Sequence, residues 1–91
     1  MDTAKSKIVL DRMNYVLGHL KAILKMVEED RYCVDVIRQN QAVIAALKKV
    51  NELILLNHLN TCVTTAIRGK SESKRKQVLE EIVQVFEEKQ R

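Results

Sequence analysis

The chain has 91 residues, 46% of them hydrophobic, with no proline, two glycines, two tyrosines and one phenylalanine. Sixteen Lys/Arg against 12 Asp/Glu leave a net charge of +4. A chain of this size makes at most one domain, whose core is marginal alone, and its lack of turn-forming residues excludes hairpins, sandwiches, barrels and a glycine-rich phosphate loop.

Three helices are expected. The first runs from about Ala4 to Val27, capped by Asp2 or Thr3. Ile8, Val9, Met13, Val16, Leu17, Leu20, Ile23, Leu24 and Val27 recur along it at helical spacing. Gly18, inside this helix, costs roughly 1 kcal/mol against alanine and points to close approach of another backbone. The acidic run Glu28, Glu29, Asp30 makes a poor helix end but a good start for the next one, with Asp30 as its N-cap.

The second helix spans about Tyr32 to Ile67, unusually long, with neither Gly nor Pro between Gly18 and Gly69. Leu53, Ile54, Leu55 and Leu56 cover every side of one turn, so that stretch needs enclosure all round. A chain of this length cannot supply it, and oligomerisation is the physical expectation. Gly69 ends the helix. Arg68–Lys76 (RGKSESKRK) forms a polar, basic connector, and Ser71 or Ser73 caps a third helix reaching about Glu87. That last helix carries Val78, Leu79, Ile82, Val83, Val85 and Phe86.

No apolar run approaches the ~18 residues needed to span a bilayer, and the first 20 residues lack a basic-then-apolar leader pattern, so a cytoplasmic location is expected, without membrane. The positive charge permits a polyanion partner without specifying one. Two cysteines in such a chain suggest thiols used for chemistry or metal binding rather than a disulfide frame. Met13 and Met26 read as core.

His58 and Cys62 stand four residues apart, which on an α-helix places them on one face about 6 Å apart. That spacing suits a soft metal. It equally suits a surface histidine beside a cysteine acting as a small hydrophobe. Cys33 sharpens the choice: it lies 29 residues before Cys62 on the same predicted helix, ~43 Å away at helical rise. One chain cannot close a three-ligand site over that distance. Two chains with antiparallel second helices can, and a two-fold axis then gives two identical sites. Two thiolates and one imidazole fall short of the four ligands that zinc generally takes and suit Cu(I).

The stretches LDRMNYVLGHL (10–20), EEDRYCVDVIRQNQAV (28–43) and LNHLNTCVTTAI (56–67) together resemble the copper-sensing transcriptional repressors of the CsoR type, over about Leu10 to Phe86. The resemblance implies a single metal-sensing, DNA-binding domain over 1–91. It implies an all-α fold of three helices per chain with a long second helix, an antiparallel dimer of helical hairpins and a homotetramer. It implies a protein that is no enzyme, binds operator DNA when metal-free and releases it on binding Cu(I). Residue by residue, Cys33 of one subunit and His58 and Cys62 of another match the copper ligands. Tyr32 and Glu81 match side chains that support the ligands, with Glu80 as the alternative carboxylate because the connector is about three residues longer here. Arg12 and Lys49 match positions that contact the operator, and Lys5, Lys7, Lys21 and Lys48 are further candidates for a positive face. A copper chaperone is a candidate partner.

Members of this family that respond to other effectors differ at these positions. Nickel/cobalt sensors have histidine in place of Cys62 and another near the N-terminus; formaldehyde sensors use an N-terminal proline; persulfide sensors lack the histidine. This chain has Cys62, His58 and no proline, with His19 as its first histidine. His19 reads as a surface or interface residue. The resemblance departs between Arg12 and Gly18, where many members carry more basic residues than Met13, Asn14, Tyr15, Val16 and Leu17. Two other readings compete: the same scaffold sensing persulfide or oxidant through Cys33 and Cys62, and a copper buffer that never binds DNA.

Overall fold

The computed structural model describes Met1 and residues 3–88. Among the described residues all regular structure is helical: α1 (Thr3–Glu28), α2 (Cys33–His58), a π-helical segment (Leu59–Val63), α3 (Thr64–Arg68) and α4 (Glu72–Glu87). His58, Val63 and Thr64 keep right-handed helical dihedrals, so α2, the π segment and α3 form one continuous run of helical backbone. The expected long second helix is therefore present but interrupted, and it begins at Cys33.

Two compact units divide the chain, one ending at Leu55 and the other beginning at Leu56. The first is a helical hairpin of α1 and the greater part of α2. Its turn corrects one expectation. Asp30 does not cap α2; it adopts φ 54°, the left-handed conformation that ends α1. The Arg31 amide donates to the Met26 carbonyl at 2.9 Å and the Asp30 amide to the Val27 carbonyl at 3.1 Å. Those paired bonds are a Schellman closure, which satisfies carbonyls left open at a helix end. Aspartate serves because its short polar side chain tolerates left-handed backbone better than most. Tyr32 takes the N-cap place of α2, its carbonyl accepting from the amides of Asp35 at 3.0 Å and Val36 at 3.2 Å.

The hairpin core is narrow. Val9, Val16 and Ile23 are buried on α1, and Val43 and Val50 on α2, with Val36 packed against them. Each set steps by seven residues, the repeat of helices meeting along a seam. The other apolar residues of the sequence pattern lie outside it: Met13, expected in the core, is 45% exposed, and Leu10, Leu17, Leu24, Ile37 and Ile44 are also exposed. Among the described residues nothing lies within 4 Å of where a Gly18 Cβ would sit, so the close approach expected there is not made by them. Asp2, one of the two residues expected to cap α1, lies outside the described residues; Thr3 is the first helical residue.

In the second unit, α4 packs against the π segment and α3. Val63 and Ala66 are its buried apolar side chains and Asn57 its buried polar one. Gly69 stops α3 in extended backbone, and a Cβ there would meet the Thr65 carbonyl oxygen at 3.3 Å. Ser71 caps α4, its side chain accepting from the Lys74 amide at 3.2 Å. Leu53, Ile54 and Leu55 are half-buried and Leu56 is 54% exposed, so the all-apolar turn is incompletely covered.

Candidate metal centre and nucleic-acid face

His58 is the last residue of α2 and is half-buried; Cys62 lies in the π segment and is exposed. The pair thus straddles the change from α to π backbone rather than lying on one regular α-helix. The wider turn rotates whatever follows it relative to a straight helix, a device common at functional sites. Two threonine hydroxyls support it. Thr61 Oγ1 donates to the Asn57 carbonyl at 2.8 Å, and Thr64 Oγ1 donates to the Leu59 carbonyl at 2.6 Å. The Thr64 amide also bonds to Leu59, five residues back, the spacing of a π turn. Both hydroxyls thereby bond back to backbone carbonyls within the helical run. The Thr61 hydroxyl lies 3.7 Å from Cys62 Sγ, so one side chain touches both the π backbone and a candidate ligand.

Cys33 is the first residue of α2, beside exposed Tyr32, and both cysteines are free and exposed. Among the described residues no three of the His, Cys, Asp and Glu side chains come together as a metal-binding group within the chain. The structure therefore brings His58 and Cys62 onto neighbouring turns and does not add Cys33 to them. Glu80 and Glu81 are both exposed on α4, and they differ in their surroundings. Glu80 pairs with Lys76 at 4.0 Å, whereas Glu81 has no ion pair among the described residues.

Arg12 and Lys49, distant in sequence, line one shallow concavity on the hairpin with Asp11, Tyr15, Val16, Ala46 and Val50. The antiparallel seam produces this: Val16 and Val50 are buried, and the residues flanking them on each helix face the same side. Lys49 also approaches Glu52 at 3.4 Å, an exposed pair of small energetic weight. Next to Arg12, Tyr15 is 76% exposed and also borders a second concavity with Asn14, Gly18, His19 and Gln39. His19 Nε2 donates to Gln39 Oε1 at 2.8 Å, joining α1 to α2. Gln39, Asn57 and Thr61 carry no signal in the sequence that would single them out. The one available hint was a threonine four residues after Asn57, the spacing of hydroxyl-to-carbonyl bonding within helices.

The described residues define a class by fold: an all-helical chain with two free thiols, an imidazole at a backbone irregularity, and an arginine and a lysine lining one concavity. Comparison with known proteins makes this specific. The metal-sensitive transcriptional repressor family matches residues 5–88, and the chain belongs to that family. The copper-sensing transcriptional repressor CsoR of Mycobacterium bovis (strain BCG / Pasteur 1173P2) is 48% identical over 65 residues, 71% of this chain and 55% of the relative. The chain thus spans about half the length of that curated relative. The Bacillus subtilis (strain 168) CsoR is 39% identical over 79 residues, 86% of this chain and 74% of that one. Among solved structures, the Cu(I) form of CsoR from Geobacillus thermodenitrificans NG80-2 superposes with a TM-score of 0.85 at 33% identity, covering 96% of this chain and 88% of that one. The nickel-responsive regulator InrS gives 0.71, also at 33% identity, covering 89% and 88%. Because relatives named for copper and for nickel share the fold, the metal is decided by side chains.

Proposed function

We propose that the chain is a Cu(I)-responsive transcriptional repressor, a single domain that binds operator DNA when metal-free and lets go when Cu(I) is bound. The observation that carries this reading is the donor set: Cys33 and Cys62 are free and exposed, and His58 sits half-buried at the α–π junction. Two thiolates and an imidazole fit Cu(I), which prefers soft sulfur ligands. Because the described residues of one chain do not assemble the set, Cys33 of one subunit serves with His58 and Cys62 of another. When bound, Cu(I) supplies soft-ligand bonds that tie the two subunits together. The named relatives are copper-sensing repressors, which supports the same choice.

The remaining roles belong to the chain's own residues. Arg12 and Lys49 meet the operator, since they share one face of the hairpin. Tyr32, adjacent to Cys33, and Glu81, which has no ion pair among the described residues, connect the ligands to helix packing. The exposed Leu10, Leu17, Leu24, Ile37 and Ile44 give a dimer and then a tetramer the apolar surface to bury. The proteins named alongside this one act on genes, and a cytoplasmic location follows from that role. No helix among the described residues is long and apolar enough to cross a membrane.

The test uses duplexes that the metal-free protein selects from a random library. Anisotropy should show tight binding, weakened roughly 5–150-fold by Cu(I), the usual size of allosteric coupling. Arg12→Ala and Lys49→Ala should each weaken binding and lower the salt slope by about 0.9 for every phosphate no longer neutralised, with Cu(I) uptake unchanged. Failure to select any duplex, or an affinity indifferent to Cu(I), contradicts the reading.

A further inference from the structure

The excess charge of this chain has one location. Arg68–Lys76 contains five of the 16 Lys/Arg and one of the 12 Asp/Glu, a net +4 in nine residues. The other 82 residues carry eleven cations and eleven anions, and balance. All of the net charge therefore sits at the α3–α4 junction, on the last residue of α3, the intervening turn and the first residues of α4, away in sequence from Arg12 and Lys49.

The turn at this junction is held, and three of the exposed cations around it have no ion pair among the described residues. The Gly69 amide donates to the Thr65 carbonyl at 3.0 Å, the Lys74 amide to Ser71 Oγ at 3.2 Å, and the Arg75 amide to the Ser71 carbonyl at 3.1 Å. Arg75 faces inward: its Nη2 donates to the Gly69 carbonyl at 3.0 Å, and its buried Nε has no partner. Arg75 thus clamps the turn, while Arg68, Lys70, Lys74 and Lys76 are exposed. A basic stretch that only solvates a helix is normally interleaved with acids, as in the pairs Lys25–Glu29 and Lys49–Glu52. Here Lys76 has such a partner in Glu80, but among the described residues Arg68, Lys70 and Lys74 have none.

We propose that the Arg68–Lys76 junction of α3 and α4 is a second DNA-contacting surface, which grips phosphates without regard to sequence. The inference rests on the DNA-binding reading above. Duplex DNA presents one negative charge per ~1.7 Å of axis, so a short ordered run of cations can neutralise several phosphates together. Lysine suits this task as a point charge, with no demand for a particular base. The two surfaces divide the labour: Arg12 and Lys49 act from the hairpin, and the turn supplies a sequence-indifferent grip.

The experiment compares the wild-type chain with Lys70→Ala/Lys74→Ala/Lys76→Ala, leaving the Arg75 clamp intact. Anisotropy is read across a salt series on two probes, a mixed-sequence 30-base-pair duplex and a library-selected duplex. The salt slope should fall by about 2 to 3 on both probes, near 0.9 for each lysine removed from a phosphate. Lys70→Arg/Lys74→Arg/Lys76→Arg should keep the wild-type slope, and circular dichroism should show both variants equally helical. An unchanged slope in the alanine variant overturns the inference, as does a loss confined to pelleting with anionic vesicles. If library selection yields no preferred duplex while the mixed-sequence slope still falls, the operator reading fails and the phosphate grip stands. If the wild-type chain binds neither duplex at low salt, both fall.

Discussion

Cys33, His58 and Cys62 carry the account at the scale of the residue, and their value lies in what they do not do. No disulfide consumes either thiol and the imidazole stays half-buried beside the π turn. The two neighbouring glutamates can be told apart by experiment. Glu80 pairs with Lys76 at 4.0 Å between exposed side chains, a pair of small weight; Glu81 is the carboxylate we propose to act toward the histidine, where it would fix the ring's orientation. Glu81→Ala should still take up Cu(I) but lose most of the difference in DNA affinity between metal-free and Cu(I) forms, a coupling of ~1–3 kcal/mol. Glu80→Ala should keep the wild-type difference. Paired anisotropy titrations with and without Cu(I) check both. Equal behaviour of the two variants would remove Glu81 from signal transmission and leave the ligands untouched.

At the scale of the element, the helices were legible because the apolar spacing and the scarcity of Gly and Pro leave little else to build. Gly69 and Ser71 mark their boundary plainly, since each has the chemistry its place demands: an unhindered stop and a hydroxyl cap. Two features were not legible. A π turn has no composition of its own; it shows only in the backbone bonding, where the Thr64 amide donates to the Leu59 carbonyl five residues back. The left-handed Asp30 was also hidden, because aspartate before a helix equally signals an N-cap. Two substitutions probe this scale. Thr61→Val removes the hydroxyl that bonds to the Asn57 carbonyl while keeping the side chain's shape, and should cost about 1 kcal/mol in urea denaturation. Gly18→Ala adds a methyl group where nothing lies within 4 Å, and should stabilise α1 by up to about 1 kcal/mol in the same assay. A loss of stability at Gly18 would show that another chain covers that side of α1.

For the whole molecule, a single chain leaves apolar surface uncovered. Its seam buries every seventh residue and exposes Leu17, Leu24 and Ile44 between them, and its candidate ligands do not meet among the described residues of one chain. The sequence anticipates both facts, since one chain cannot bridge Cys33 to Cys62 along a helix or enclose Leu53–Leu56. It could not reveal which apolar residues form the intrachain seam, because the seven-residue set is embedded in a denser apolar pattern. Under the proposed function each copper site draws on two subunits, and mixing of subunits probes that arrangement. Cys33→Ala and Cys62→Ala chains should each bind almost no Cu(I) against a competing chelator. After exchange of an equimolar mixture, half the dimers pair unlike chains and each regains one intact site, so uptake should rise to about a quarter of an equivalent per chain. Uptake that stays at zero in the exchanged mixture, or near-full binding by either variant alone, would contradict a site shared between subunits.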